Sequence, residues 1–520
     1  MWKFLQTPSP SHATTIPLQL HNTATRTLTE FTPLKAGTVK MYSCGPTVYD
    51  YAHIGNLRAY VFVDILKRTL EYNNFDVKNT INLTDFGHLS DDSDAGEDKM
   101  MKGLKREGKP VTLAAMRDLS DHYITAFKTD LSDLRINPPT TFARASDYIQ
   151  EQIRLIRTLD EKGYTYETSD GLYFDITKFP TYGRLGNIDI TALQNGARVE
   201  TNPEKRHPAD FAVWKKGLLG WDSRWGKGFP GWHIECSAMA LATLGKEIDI
   251  HTGGIDHIHT HHNAEIAQSE CVTNKHFSRY WLHNEFITID KTKISKSLGN
   301  NLTLRHLHDQ GFTGDDYRYW LLTAHYRSPV NFSFDALRGA KQALFRLKRH
   351  VFEEYKNVAT TVAPEYIKQF HAFINHDLDT PQALALAWDV TNDKKLSSGT
   401  KCATLKHFDQ VLGLGLNDQL DDALFSLGVI NHAEIPADIQ ALIDEREAAR
   451  AARNWDESDR LRELLNMKGY SIEDSAQGPK VSKKWLDYIT VDHVVDRYVS
   501  WVLSIHLVIS YGLFTSFRPL

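Results

Sequence analysis

What most constrains this chain is the stretch 44–56. A β-like run, 38–43, gives way through Cys44, Gly45 and Pro46 to His53, Ile54, Gly55 and Asn56, and then to a helical apolar period carried by Leu57, Tyr60, Val61, Leu66 and Leu70. A strand that turns straight into a helix is the repeating unit of an open α/β sheet. It sets a side chain at the strand's carboxyl end and leaves the first N–H groups of the helix unpaired, where such sheets bind phosphate. A thiol, Cys44, and an imidazole, His53, stand at the two ends of this turn.

The alternation continues along the chain. A second strand is predicted over 78–83 and an acidic loop over 84–92, then helical patterns over 99–134 and 145–162 and a hairpin over 163–176. The Trp- and Gly-rich 208–230 reads as loop, followed by a strand over 247–252, a helix over 263–272 and a strand-like 281–289. From 315 to 464 the pattern is helical, with breaks near Ser328, Pro364, Pro381 and Pro436. At 520 residues the chain is too long for one core, so roughly three or four domains are expected. A formal net charge of −5 argues against non-specific nucleic-acid binding through a basic surface but leaves room for a local basic face.

The four cysteines, Cys44, Cys236, Cys271 and Cys402, show no paired spacing. A reduced cytoplasmic setting with metal use is therefore expected rather than a disulfide framework. Residues 1–11 lack the form of a signal peptide. Between Arg497 and Arg518 the tail carries no formal charge and is long enough to span a bilayer, but its Ser, His, Gly and Thr content makes it a poor span. The expectation is a monomer without stable membrane association.

Two groups of residues carry chemistry. His261 and Glu265 are four apart on a predicted helix, so both face one side, and Cys44 and Cys236 each fall near a strand end or helix start. Two thiolates, an imidazole and a carboxylate suit zinc, which takes S, N and O donors without geometric preference. The bland alternative is a polar helix start beside two buried cysteines, and His251, His257, His259 and His262 are rival donors. The i, i+4 geometry with Glu265 favours His261. The second group joins His53 to Asn56 at a helix start with the loop Lys293, Ile294, Ser295, Lys296 and Ser297, which supplies positive charge for a transition state at phosphorus.

His53-Ile54-Gly55-Asn56 and Lys293-Ile294-Ser295-Lys296-Ser297 resemble the HIGH and KMSKS signatures of class I aminoacyl-tRNA synthetases. The runs 41–50, 231–239 and 261–268 resemble the cysteinyl-tRNA synthetase family in particular, and the resemblance extends from about 18 to 484. It implies an α/β fold: a Rossmann-type parallel-sheet catalytic domain (18–110 and 206–305) split by a connective insertion (111–205). A stem-contact segment (306–350), a helical bundle (351–430), a small anticodon-binding domain (431–484) and a tail of unexplained role (485–520) follow.

The resemblance further implies one Zn²⁺ per subunit on Cys44, Cys236, His261 and Glu265, joined by the substrate's own thiolate, and Mg²⁺ with ATP. The implied activity is attack of the cysteine carboxylate on the α-phosphorus of ATP, then transfer of the cysteinyl group to tRNA(Cys). His53, Asn56, Lys293 and Lys296 would serve the phosphates, Gly254 and Asp256 the adenosine, and Thr47 and Trp232 the amino-acid pocket. Arg450, Trp455, Asp459 and Asp474 would meet the anticodon. The family pattern is departed from at Asn56, the last HIGH position, and at Ile294, where KMSKS has Met. The ligase that joins cysteine to a glucosaminyl-inositol in mycothiol synthesis shares the zinc and phosphate motifs but lacks the anticodon domain. A non-catalytic zinc- and RNA-binding paralogue would be free to lose the lysine loop, which is intact here.

Overall fold

In the computed structural model the residues described are 16–87, 98–189, 202–289, 292–293, 301–354, 361–418, 435–475 and 478–483. An antiparallel ribbon, β1 (Gln19–Asn22) and β2 (Thr27–Glu30), precedes the central unit β3 (Thr38–Ser43), α1 (Ile54–Tyr72) and β4 (Asp76–Leu83). Helices α2 (Lys99–Arg106) and α3 (Leu113–Asp133) lead to β5 (Thr141–Arg144) and α4 (Ile149–Glu161). The expected single helical pattern over 99–134 is thus two helices. Gly108, at φ +65°, ends the first, and the Thr112 hydroxyl caps the second by accepting from Ala115 N.

The strands β6 (Thr165–Glu167), β7 (Gly171–Phe174), β8 (Phe211–Trp221) and β9 (Gly228–Pro230) form an antiparallel sheet in that order. This corrects the reading of 208–230 as loop. Phe211, Ala212, Val213 and Trp214 are buried against the helices, and an irregular register between Lys216 and Trp221 accommodates the glycines that suggested a loop. Next come α5 (Trp232–Leu244), β10 (Ile248–Gly254), α6 (His261–Thr273), β11 (Ser278–Asn284), β12 (Ile287–Ile289) and β13 (Thr292–Lys293).

Five strands make one parallel sheet in the order β11-β10-β3-β4-β5. The sheet grows outward from β3 in both directions, so its switch point lies between β3 and β10, where Thr252 pairs with Ser43. Parallel strands covered on both faces are buried along their length. Tyr42, Met239, Leu244, Ile248, Ile266, Phe277 and Trp281 form the core beside them.

Beyond the sheet lie α7 (Leu304–Asp309), α8 (Gly314–Leu322), β14 (Val330–Phe332), α9 (Phe334–Arg349), α10 (Pro364–Asn375), α11 (Thr380–Asn392) and α12 (Ser398–Leu412). β14 interrupts the run expected to be helical by pairing in parallel with β12. Pro364 and Pro381 sit in the first turns of α10 and α11, where a missing N–H costs nothing. The described residues of Met1–Leu304, Thr313–Leu344 and Asn357–Leu416 form one compact unit. Those of Arg305–Phe312, Phe345–Lys356 and Asn417–Leu520 form another. The second contains α13 (Ala437–Ala451), α14 (Trp455–Met467), β15 (Tyr470–Ser475) and β16 (Gly478–Lys483) around Ile439, Ile443, Leu465, Tyr470, Ile472 and Val481. Among the described residues no helix is long and apolar enough to cross a membrane; the tail 485–520 lies outside them.

Candidate active site and metal centre

A cavity of about 980 Å³ opens at the carboxyl ends of β3 and β10. The turn after β3 is tied to strands on both sides. Cys44 N donates to Thr252 O (3.1 Å), and Val48 N to Thr84 O (3.0 Å). Gly45 N donates to Asn82 Oδ1 (2.6 Å), and a Cβ on Gly45 would lie 1.6 Å from Asn82 O, so only glycine lets this turn approach β4. The turn therefore delivers Cys44 to the switch point. On the other wall, Gly231 N donates to Val213 O (3.0 Å), and a Cβ there would fall 2.0 Å from Ala212 O. The strand that sequence reading missed thus sets the start of α5, which carries Trp232 and Cys236.

Among the described residues two overlapping donor sets meet beneath the cavity: Cys44, Cys236, His261 and Glu265, and Cys44, His251, His262 and Glu265. Within each set the donor atoms lie within 4.8 Å of one another. Glu265 is their hinge. Its Oε1 faces His261 Nε2 at 2.8 Å and its Oε2 faces His251 Nε2 at 2.6 Å. The Cys44 thiol reaches His262 Nε2 at 3.4 Å and Glu265 Oε1 at 3.9 Å. Cys44, Cys236 and His261 line the cavity, whereas His251 and His262 do not. His261 Nδ1 is engaged by His233 Nδ1 at 2.9 Å, which leaves Nε2 directed at the other donors, the arrangement usual for a metal-binding imidazole. The buried S, S, N, O set fits a zinc-class ion.

The electrostatics agree with such a use. Burial would raise the Glu265 pKa, but His251 and His261 draw it down to about 2. Burial would lower that of His261, but Glu265 and Cys236 push it up to about 10. Cys236 falls to about 6 although burial opposes ionisation, because Cys44 and His261 hydrogen-bond to its sulfur. Cys44 is held well above the ordinary thiol range by burial and by Cys236. The centre therefore holds anionic donors before any cation arrives, and cation binding must displace the remaining protons.

At the rim, His53 caps α1. Its Nδ1 accepts from Asn56 N (3.1 Å), and Asn56 Oδ1 accepts from His53 N (3.3 Å), a reciprocal capping box. With Nδ1 as acceptor, the neutral imidazole carries its proton on Nε2. Asn56 spends its oxygen on the cap and keeps its amide N–H groups as donors. The departure from the HIGH pattern thus has a local structural role that the sequence alone did not show.

Thr47, Trp232, Gly254 and Asp256 all line the same cavity. The Trp232 ring lies 4.4 Å from that of His261, and Asp256 folds so closely against Gly254 that a Cβ there would be 2.4 Å from its Oδ1. Ile294, Ser295, Lys296 and Ser297 lie outside the described residues, and of Lys293 only the backbone, in β13, is described. In the second unit Trp455 is 56% exposed, with the Arg450 guanidinium 5.9 Å from its ring centroid, and Asp459 pairs with Arg462. Asp474 is a β15 backbone position opposite Pro479. Arg446 is wholly buried.

Three cations escaped sequence reading. Lys99, Lys102 and Arg106 also line the cavity, and their i, i+3, i+7 spacing on α2 was the available signal. His233 and His283, which engage His261 and His262, were missed as well; their partners are remote in sequence and leave no local mark.

A five-stranded parallel sheet with its switch-point cavity, an antiparallel insertion and a helix start capped by His53 define a class I aminoacyl-tRNA synthetase. Residues 30–342 match the family described as tRNA synthetases class I (C) catalytic domain, and residues 432–480 match the cysteinyl-tRNA ligase anticodon binding domain. The fold is shared with Mycobacterium tuberculosis methionyl-tRNA synthetase in complex with methionyl-adenylate (TM-score 0.50, 14% identity, covering 75% of this chain and 94% of that one). It is shared too with an Agrobacterium radiobacter LeuRS (TM-score 0.55, 12% identity, 77% and 86% covered). Cysteine–tRNA ligase 1 of Burkholderia lata is 45% identical over 473 residues, 90% of this chain and 97% of the relative. The Treponema denticola cysteine–tRNA ligase is 41% identical over 489 residues, 88% and 98%. The chain belongs to the cysteine–tRNA ligase family.

Proposed function

We propose that this chain activates L-cysteine with ATP and transfers it to the 3′ end of tRNA(Cys), with Zn²⁺ held by Cys44, Cys236, His261 and Glu265. The carrying observation is the convergence of these four donors, three of them (Cys44, Cys236 and His261) lining a cavity that the His53-capped start of α1 also lines and the fourth, Glu265, buried against them. When bound, zinc supplies a soft acceptor that prefers a thiolate to the hydroxyl of serine, where a pocket judging size alone gains only about 1–3 kcal/mol.

In the first step a carboxylate oxygen of cysteine attacks the α-phosphorus of ATP, the bond from that phosphorus to the bridging oxygen breaks, and pyrophosphate leaves; Mg²⁺ brought with ATP would add positive charge on the phosphates. The attacking group comes with the substrate, so the protein's part is placement and charge stabilisation. The Nε2–H of His53 and the amide of Asn56 donate to phosphate oxygens, aided by the positive end of α1. Lys296 and Lys293 add positive charge, a role that rests on their place in the KMSKS-like sequence. Trp232 and Thr47 wall the amino acid; Gly254 and Asp256 approach the ribose. In the second step a terminal adenosine hydroxyl of the tRNA attacks the cysteinyl carbonyl and AMP leaves.

Arg450 and Trp455 offer a guanidinium and an exposed indole for unpaired anticodon bases, with Asp459 and Asp474 reading their edges. The working form is a single cytoplasmic chain, checked by light scattering. The deciding experiment is cysteine-dependent pyrophosphate exchange and tRNA charging on the purified protein, with serine as competitor and metal analysis alongside. Exchange without charging would refute the tRNA assignment, and exchange supported equally by serine would refute the metal's role in selection.

A further inference from the structure

One turn beyond the cap, α1 buries a guanidinium that the mechanism above does not use. Arg58 is 4% exposed, yet among the described residues no carboxylate receives its hydrogen bonds. Its Nη1 donates to Phe286 O (2.6 Å), and its Nη2 to Ser328 O (2.5 Å), His325 O (3.2 Å) and Tyr326 O (3.2 Å). Its hydrogen bonds go to neutral carbonyls and Glu285 acts on it only through space, so burying this cation is costly, and an apolar side chain would fill the same space more cheaply. What an apolar side chain lacks is a rigid planar fork that fixes several acceptors at set angles.

One of those acceptors, Phe286, belongs to the cavity; the other three, His325, Tyr326 and Ser328, brace the guanidinium from behind the lining. Asn284, Glu285, Phe286 and Ile287 line the cavity along with His53 and Asn56, and Phe286 leads into β12, whose Thr288 pairs with Lys293 of β13. The start of α1 is held from other directions too. Ile54 N donates to Leu302 O (2.8 Å), His53 bridges Thr303, and the buried Tyr317 hydroxyl donates to Ile54 O (2.7 Å). The chain at 286 and at 302–303 is therefore bound to the first two turns of the helix that presents His53 and Asn56.

We propose that Arg58 is a positioning residue for adenylate formation: its fork sets the wall 284–287, and through β12 the backbone of Lys293, at the working distance from the start of α1. The inference rests on the ATP reading of this cavity. The hydrogen bonds of Arg58 reach none of the metal donors, nor Thr47 or Trp232, so its loss has a kinetic signature that general destabilisation does not.

The test is pyrophosphate exchange on the full-length, metal-loaded protein with Arg58→Gln, Arg58→Lys and His53→Ala, reading kcat, KM for cysteine and bound metal per chain. Arg58→Gln is expected to lower kcat about 10²-fold, the scale of a misplacement of about 1 Å. KM for cysteine and metal content should stay at the wild-type values, and Arg58→Lys, which keeps the charge and part of the donor set, should fall between. Wild-type kcat in Arg58→Gln, or a loss matched by rising cysteine KM and falling metal content, overturns the proposal. Should Arg58→Gln not fold, Arg58→Lys decides by the same criteria. If His53→Ala also leaves exchange unchanged, the ATP reading itself falls; if His53→Ala is impaired and the Arg58 variants are not, only the present inference falls.

Discussion

Replacing Cys236 with Ser separates the two donor sets that share Cys44 and Glu265. Hydrogen bonds from Cys44 and His261 pull the Cys236 thiol below the ordinary thiol range against the effect of burial, which favours the thiolate and gives a metal an anionic donor. A serine hydroxyl is un-ionised near neutral pH. Structural zinc sites bind with an apparent 10–16 kcal/mol, so one donor of four is worth about 2.5–4 kcal/mol. That corresponds to roughly 10²–10³-fold in affinity. The assay is competition with a chromophoric zinc chelator at fixed pH, with metal per chain from atomic emission and cysteine KM from pyrophosphate exchange. Cys236→Ser should release metal at chelator concentrations the wild type resists, and cysteine KM should rise with it. His262→Gln, which leaves all four donors of the first set, should hold its metal. The reasoning is refuted if Cys236→Ser keeps its metal against the chelator while His262→Gln loses it, for the ion would then sit on Cys44, His251, His262 and Glu265.

Other expectations concern stability and the second unit. Arg318 is wholly buried, its Nη2 2.6 Å from Asp64 Oδ2 and its other nitrogens on Leu134 O and Leu412 O, so Arg318→Ala should cost about 3–5 kcal/mol in urea unfolding. Trp455→Ala should weaken tRNA charging by about 1–3 kcal/mol in kcat/KM, the worth of one stacked base, and leave pyrophosphate exchange untouched. Burial, helped by Asp133, lifts the Asp130 pKa from 3.8 to about 7. A raised folded-state pKa means that the native chain binds the extra proton, so this group's contribution is fully present below 3.8 and lost as pH rises through 7. Asp130→Asn should therefore stabilise the protein more at pH 8 than at pH 4; an equal effect at both, measured by urea unfolding, would contradict the burial argument.

Much of this protein was legible in its sequence because much of it is periodic. Alternation over 38–43 and the 3.6-residue period after Asn56 dictate β3 and α1 whatever surrounds them, and the four-residue spacing of His261 and Glu265 puts both on one side of α6 for the same backbone reason. Proline and threonine at helix starts were local signals too. The sequence did not determine which donors meet. Cys44 and Cys236 come together because β3 and β10 pair in parallel and a buried β8, mistaken for loop, docks the start of α5. The same packing turns the second oxygen of Glu265 onto His251, a contact no spacing rule predicts. Asn56 became half of a capping box, and Arg58, a charged residue on the buried side of α1, found four carbonyls from two distant turns. Local periodicity follows from the geometry of one backbone. The meeting of remote strand ends follows from sheet register and close packing, which are properties of the whole fold.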